Sequence, residues 1–345
     1  MIKKFFLSFL FLVLFIGSAK AESPEKIQKL RVAAEQGNAE AQFSLGEMYD
    51  NGQGVAQSSA EAVKWYRLAA EQGNAAAQTR VGWRYSIGNG VKKDDAEAVT
   101  WYQLAAAQGN IEAQFYLGDM YYEGRGVKQD FAEARKCSHF AAEQGNAEAQ
   151  YLLGFHYQYG VGTVKKDDAE AVKWYRLAAD QGDALAQCNL GAMYENGQGV
   201  RQDYAEAVKW YRLAADQGNS RAQCNLGAMY EFGQGVRQNY AEAVKWYRLA
   251  ADQGNAVAQF FLGLIYYDGE GVRQNYAEAV KYFRLAAIQG DSAPQFKLGL
   301  CYESGRGVMQ NKAIAKEWYG KACDNGNKYG CDAYRRLNTT TTKRR

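Results

Sequence analysis

The sequence predicts an all-α solenoid of about eight helix-turn-helix repeats, each 36 residues long. Three observations support this prediction. The segment YAEAVKWYRLAADQGN occurs unchanged at residues 204–219 and 240–255. Apolar residues recur at helical spacing in both halves of each repeat. A Gln-Gly or Asn-Gly pair also recurs every 36 residues, with one step of 37, and its glycines are Gly37, Gly73, Gly109, Gly145, Gly182, Gly218, Gly254, Gly290 and Gly326. A structural unit that cannot bury its own apolar face gains stability by stacking on copies of itself.

The first 21 residues have the pattern of a cleaved export signal. Lys3 and Lys4 form a basic start, Phe5–Ile16 is a nearly unbroken apolar run, and Ala19–Ala21 has the small-x-small pattern of a cleavage site. An apolar run of about twelve residues is shorter than the roughly 20 that a spanning helix needs. We therefore expect cleavage after Ala21, a periplasmic or secreted protein, and no stable membrane insertion afterwards. A retained membrane anchor is the alternative.

The remainder of the chain divides by the repeat. Residues 22–337 form the predicted solenoid, with a half-repeat at 24–36, eight repeats over 37–326 and a terminal half-repeat at 327–337. The single step of 37 places one extra residue in the turn around Thr163, where the chain runs over the surface and tolerates insertion. Residues 338–345 are predicted to be a disordered basic tail.

Two helices are predicted in each repeat. In residues 255–268, Ala258, Leu262 and Ile265 fall on one helical face, and residues 275–289 carry a second apolar stripe. Seven of the eight second helices open with a capping box. The eighth has Ile314 in place of the glutamate, so we expect its start to fray. The seven boxes pair Ser58 with Glu61, Asp94 with Glu97, Asp130 with Glu133, Asp167 with Glu170, Asp203 with Glu206, Asn239 with Glu242 and Asn275 with Glu278.

Charge and composition argue against several function classes. The chain has 41 basic and 38 acidic residues, and loss of Lys3, Lys4 and Lys20 with the signal leaves 38 of each. A balanced chain lacks the cationic excess of a nucleic-acid-binding protein. No strand precedes the Gly-x-Gly pairs, as a nucleotide-binding loop would require. His139 and His156 stand without a cluster of cysteine or carboxylate ligands, so no metal or cofactor is expected.

The repeat pattern AQxxLGxMYxxGxGVxxDxxEAVKWYRLAAxQGN resembles the Sel1-like repeat, an α/α unit related to the tetratricopeptide repeat. The match covers almost all of residues 24–337. The resemblance implies a right-handed superhelix of paired helices that acts as an adaptor in complexes, in bacteria often in the periplasm. A long concave surface suits binding better than catalysis. We expect a non-enzymatic scaffold for a protein or peptide, such as a cell-wall enzyme, an envelope-signalling or motility protein, or a toxin that it neutralises.

The cysteines extend the resemblance. Cys323 closes a second helix and Cys331 lies in the next first helix, and this spacing resembles the helix-linking disulfides of cysteine-rich Sel1-like proteins. The resemblance implies a bridge between these two residues. Cys188 and Cys224 occupy equivalent positions in adjacent repeats, roughly 8 to 10 Å apart, which is too far for a disulfide. Four cysteines remain with no assigned redox state, namely Cys137, Cys188, Cys224 and Cys301.

An enzymatic alternative follows from the same resemblance. Some cysteine-rich Sel1-like proteins are credited with penicillin binding and weak β-lactamase activity. Those proteins carry the cysteine pair in repeat after repeat, whereas this chain carries it once. A Ser-x-x-Lys sequence occurs at residues 23–26, directly after the predicted cleavage site.

Candidate binding residues follow by analogy with tetratricopeptide repeats. In that family the residue after the interior glycine of the first helix, and those three and four positions further on, face the groove. Aromatic anchors with a few charges are typical of an interaction hot spot. The alternative is that some of these side chains only pack against neighbouring repeats. The candidates are Trp83, Ile87, Asp119, Tyr122, Glu123, Phe155, Tyr159, Phe232 and Tyr267.

Overall fold

The computed structural model describes residues 24–161 and 164–342, with side chains to residue 339. The expected export signal and Thr163 of the predicted insertion lie outside these residues. The described residues form helices and no strand. Their bounds are α1 Pro24–Glu35, α2 Ala39–Asn51, α3 Ser59–Glu71, α4 Ala75–Ile87, α5 Asp95–Ala107, α6 Ile111–Glu123, α7 Phe131–Glu143, α8 Ala147–Tyr159, α9 Asp168–Asp180, α10 Ala184–Asn196, α11 Tyr204–Asp216, α12 Ser220–Phe232, α13 Tyr240–Asp252, α14 Ala256–Asp268, α15 Tyr276–Ala287, α16 Ser292–Ser304, α17 Lys312–Asp324 and α18 Lys328–Thr342. None of these helices is long and apolar enough to cross a bilayer.

The helices are grouped into two compact parts. The N-terminal part runs to Gln144 and holds α1–α7, and the C-terminal part starts at Gly145 and holds α8–α18. Within each part every helix packs against the next along the chain. The even-numbered helices from α2 to α16 are the first helices of repeats one to eight, and the odd-numbered helices from α3 to α17 are the second. The prediction of an all-α repeat solenoid is confirmed.

The C-terminal end differs from the prediction. Helix α18 continues to Thr342, past position 337, where the sequence predicts the last half-repeat to end. Residues 338–342 are therefore helical, and residues 343–345 of the predicted basic tail lie outside the described residues. The hydroxyl of Thr339 donates to the carbonyls of Arg335 and Arg336, one turn earlier in the same helix.

At the start of the second helices, the N-cap side chain accepts backbone hydrogen bonds as predicted. The predicted hydrogen bond from the N-cap N–H to the glutamate side chain does not form. Asp203 Oδ1 accepts the backbone N–H groups of Ala205 and Glu206 at 2.9 and 3.1 Å. The Asp203 N–H donates to the carbonyl of Tyr194 in the preceding helix, so it is not available to Glu206. Glu206 instead pairs with Lys209 at 3.3 Å. The capping box is thus half formed.

The eighth second helix shows why the missing glutamate matters little. Asn311 Oδ1 accepts from Ala313 and Ile314 at 3.0 Å, and its N–H donates to Tyr302 O at 2.8 Å. These are the contacts that the other caps make. The absence of a glutamate removes no hydrogen bond here, so it gives no reason to expect extra fraying.

Within a repeat, the two helices cross at the interior glycine of the first. In repeat five, a Cβ added to Gly191 would lie 2.7 Å from Tyr211 Cδ1, and Tyr211 is fully buried. The tyrosine ring therefore occupies the space that any side chain at position 191 would need. This close approach fixes how the first helix presents its opposite face to solvent.

Buried first-helix glutamines join successive repeats and also the two helices of their own repeat. Gln187 Nε2 donates to Ala179 O at 3.0 Å, and Gln217 Nε2 donates to Gln187 Oε1 at 2.8 Å. Buried polar groups of this kind stabilise only when their partners are present. The same amide-to-amide bond joins Gln72 to Gln42, Gln108 to Gln78, Gln181 to Gln150, Gln253 to Gln223, Gln289 to Gln259 and Asn325 to Gln295.

The turns bring repeats close enough to exclude side chains. Gly199 follows α10 with a φ of +67°, and a Cβ there would overlap the carbonyl of Asp168 and lie 2.7 Å from Ala169 N. Asp168 begins α9, the second helix of the preceding repeat. The glycine is therefore required both by its left-handed backbone and by contact between repeats.

A disulfide joins the last two helices. Cys323 of α17 is bonded to Cys331 of α18, with their Cα atoms 4.4 Å apart, so the expected pairing is present. The other four cysteines are free and buried. Burial raises the pKa of Cys137 and Cys301 to about 11 and that of Cys224 to about 12, so these thiols stay protonated at neutral pH.

Candidate interaction surface

The first helices present a recurring set of side chains that we call the first-helix face. It consists of positions 2, 6, 9, 12 and 13 of each thirteen-residue first helix, where position 8 is the interior glycine. Residues three and four apart lie on one side of a helix. In every repeat except the third, the position-8 glycine lies against a core aromatic ring, so its neighbours at positions 9, 12 and 13 lie at the edge of that contact or beyond it.

In the N-terminal part, the predicted residues differ in exposure. Ile87 is 48% exposed. Trp83 is half-buried, with the Arg84 guanidinium 4.7 Å from its ring centroid. Tyr122 packs edge-on against Phe131, with ring centroids 5.4 Å apart. Ile87 thus has the largest exposed fraction of the three.

Arg125 holds the two predicted acidic residues of this part together. Its guanidinium lies 3.4 Å from Glu123 and 4.0 Å from Asp119, and it donates to Asp95 Oδ1 at 2.8 Å. Burial raises the pKa of Asp119 to about 6, with a further increase from Glu123 and an opposing effect from Arg125. Arg125 lies in the Gly-x-Gly turn. Nothing in the sequence indicated that this turn contributes to the surface.

In the C-terminal part, two predicted aromatic residues are well exposed. Tyr159 is 58% exposed and its ring lies 4.6 Å from that of half-buried Phe155. Phe232 is 57% exposed. Tyr267 differs, because Arg306 donates to its hydroxyl and its ring packs edge-on against Tyr276 at 5.1 Å. Tyr267 is therefore engaged by its own chain, as the packing alternative anticipates.

At position 12, three glutamates accept hydrogen bonds from core tyrosines. Tyr211 donates to Glu195 at 2.5 Å, and Tyr247 donates to Glu231 at 2.6 Å. The same contact joins Tyr319 to Glu303 at 2.7 Å. Burial and the facing carboxylates raise the pKa of all three hydroxyls. These carboxylates are therefore bonded to core hydroxyls, and Glu231 is itself buried.

Positions 2 and 6 carry contacts that the candidates from sequence did not include. In the N-terminal part, Arg80 at position 6 donates to Glu112 at position 2 of the next repeat, at 3.2 Å. In the C-terminal part, the corresponding residues are Asn189 and Arg221, and the arginine donates to the asparagine Oδ1. In the sequence, the recurring separation of 32 residues is the signal that could have identified these pairs. In the part of the chain that the structure describes, no group of three or more His, Cys, Asp or Glu residues could hold a metal ion.

Comparison with known proteins gives one consistent result. The Sel1 repeat family model matches eight segments, at residues 39–74, 75–110, 111–146, 147–183, 184–219, 220–255, 256–291 and 295–327. A protective antigen of uropathogenic Escherichia coli strains, described as displaying an SLR fold, is 39% identical with a TM-score of 0.67, and the match covers 86% of this chain and 71% of that one. A Sel1 repeat protein from Oxalobacter formigenes is 34% identical with a TM-score of 0.65, and 90% of each chain is covered. No curated protein matches by sequence.

Proposed function

Because the chain belongs to the Sel1 repeat family, we propose that it is a non-catalytic periplasmic scaffold that binds a protein or peptide through its first-helix face. Sel1 repeat proteins are generally protein-interaction scaffolds, and their fold is generally non-enzymatic. The observation that carries the proposal is the uncovered aromatic area at Tyr159 and Phe232. Each stands on a helix whose interior glycine is seated on a buried tyrosine. Rigid aromatic anchors bind at low entropic cost.

The proposed location has three supports. Residues 1–21 have the pattern of an export signal, and the Cys323–Cys331 bridge suits an oxidising compartment. Export also agrees with the description of the E. coli relative as a protective antigen. Intact mass of protein from the periplasmic fraction should correspond to a chain starting at Glu22. A mass that includes residues 1–21 would contradict the proposal.

Site-specific photo-cross-linking in intact cells tests the binding surface. A photo-reactive residue is placed at Tyr159, at Phe232 or at Leu249, and captured proteins are identified by mass spectrometry. Leu249 is the matched control, because it lies in the same repeat as Phe232, is 42% exposed and apolar, and belongs to a second helix. We expect the same protein to be captured from Tyr159 and Phe232 and not from Leu249.

Two results would contradict the proposal. Capture at equal yield from Leu249 would mean that the first-helix face is not the binding surface. Turnover of nitrocefin by the purified chain, at a rate above the buffer control, would favour the β-lactamase alternative over a non-catalytic scaffold.

A further inference from the structure

One arginine on the first-helix face of the C-terminal part has no acidic partner. Arg221 Nη2 donates to Asn189 Oδ1, and Arg221 Nε donates to Cys188 Sγ at 3.1 Å. Among the described residues, no carboxylate lies within ion-pairing distance of this guanidinium. The other groups that act on it are the hydroxyls of Tyr151 and Tyr159.

Two of these neighbours, the Cys188 thiol and the Tyr151 hydroxyl, are uncharged at neutral pH. Burial raises the pKa of the Cys188 thiol and of the Tyr151 hydroxyl, although Arg221 opposes both shifts. Two acidic groups of helix α10 are occupied elsewhere. Asp183 caps the helix by accepting from Ala186 N at 2.6 Å, and Glu195 accepts from the core tyrosine beneath it. Arg221 therefore donates to uncharged groups and takes part in no ion pair within the described residues.

The equivalent contact in the N-terminal part is neutral overall, which provides an internal comparison. There, Arg80 at position 6 pairs with Glu112 at position 2 of the next repeat. At the equivalent positions of repeats five and six, Asn189 replaces the arginine and Arg221 replaces the glutamate. The same geometry thus holds a closed ion pair in one part and a single cation in the other.

The surroundings of Arg221 indicate how a ligand would lie. The position-2 residues of the adjacent repeats, Leu185 and Val257, are both exposed. Position 9 is alanine in repeats five and six, at Ala192 and Ala228, which leaves room above the helices. Apolar contacts on both sides of the cation suit the middle of a partner's peptide segment better than its terminus. Apolar neighbours also strengthen a charged hydrogen bond by excluding water.

We propose that Arg221, oriented by Asn189, binds the side-chain carboxylate of an aspartate or glutamate within a partner segment whose flanking residues are apolar and pack against Leu185 and Val257. This inference rests on the proposed scaffold function and specifies the chemistry of the partner. Arginine is suited to this role because its planar guanidinium stays charged and can donate two parallel hydrogen bonds to a carboxylate.

A peptide array provides the test. The probe set is a collection of random ten-residue peptides with amidated C-termini, each spotted beside a copy in which every Asp and Glu is replaced by Asn and Gln. The copies with amide side chains are also spotted with free C-termini, which separates side-chain from terminal carboxylates. Binding of the labelled wild-type chain is compared with that of Arg221→Gln, Arg80→Gln and the double variant N189R/R221E. The double variant reproduces the closed ion pair of Arg80 and Glu112.

We expect the wild type to bind a subset of acidic peptides about tenfold more tightly than their amide copies, which is the effect of one charge-assisted contact. R221Q and N189R/R221E should lose this preference, and R80Q should retain it. Because the double variant restores a contact found in the same fold, its melting temperature checks that the loss is not due to unfolding.

Three outcomes would overturn the inference. A preference that survives in R221Q, or that disappears equally in R80Q, would show that Arg221 is not the carboxylate site. Recovery of binding by free C-termini alone would assign the site to chain ends. Peptide binding without any acid preference would refute the carboxylate site, and the cross-linking experiment would still decide the scaffold function.

Discussion

The close contact between repeats at Gly199 yields a quantitative prediction for the change Gly199→Ala. Two costs add at this position. An L-residue at a φ of +67° costs about 1–2 kcal/mol. The new methyl would also overlap the Asp168 carbonyl, and overpacking of this kind costs about 1–3 kcal/mol. Because the obstacle is backbone and not the end of a flexible side chain, neither repeat can give way cheaply. We expect a total loss of about 2–5 kcal/mol from these two costs.

Gly218→Ala is the matched control. Gly218 has a φ of +88° and nothing within 4 Å of an added Cβ, so this change incurs the backbone cost alone. Urea unfolding followed by circular dichroism should place the midpoint of G199A clearly below that of G218A. Hydrogen exchange should also show faster exchange at the start of α9 in G199A. Equal stability of the two variants would refute the claim that adjacent repeats are rigidly held at this turn.

Two further predictions concern the C-terminal disulfide and one buried carboxyl. Cys331→Ser should lower the free energy of unfolding by about 2–3 kcal/mol, and dithiothreitol should reduce the wild type to the same value; no effect of the reductant would contradict a stabilising bridge. Asp119 has a folded pKa of about 6, above its unfolded value, so its contribution to stability is present below about pH 4 and is lost as pH rises through 6. Asp119→Asn should therefore raise stability at pH 7 by about 2–3 kcal/mol and have little effect at pH 4, as measured by urea unfolding at both pH values; an unchanged difference across this range would rule out the shift.

Sequence reasoning predicts the helices and their order because each repeat carries the same signals in the same register. Caps such as Asp203 and apolar spacing act locally, so they can be recognised without knowing how helices cross. The disulfide between Cys323 and Cys331 was also expected, from resemblance to related repeats. In contrast, the role of the glutamate in the capping box depends on the preceding helix, whose Tyr194 carbonyl takes the N–H that Glu206 would need.

Side-chain partners across helices were mostly not predicted. Glu195 is a plausible groove residue by position, yet it accepts from Tyr211 because the helix crossing brings the two together. Arg125 reaches Asp119 and Glu123 from a turn, and Arg221 reaches Asn189 from the next repeat. Such contacts depend on crossing geometry, which periodicity does not specify. Pairs that recur at a fixed separation, such as glutamate and tyrosine 16 residues apart, are the signal that would have identified some of them.

The segments at 204–219 and 240–255 are identical, so recombination between them can change the number of repeats. On both sides of each copy the junctions are chemically the same. Gln217 bonds to Gln187 as Gln253 bonds to Gln223, and the arginines of α11 and α13 each donate to a tyrosine of the next helix. A crossover between the two copies adds or removes 36 residues and leaves the register, caps and junction bonds in place. Evolution can therefore lengthen or shorten the first-helix face by whole repeats, and no new contact between helices is needed.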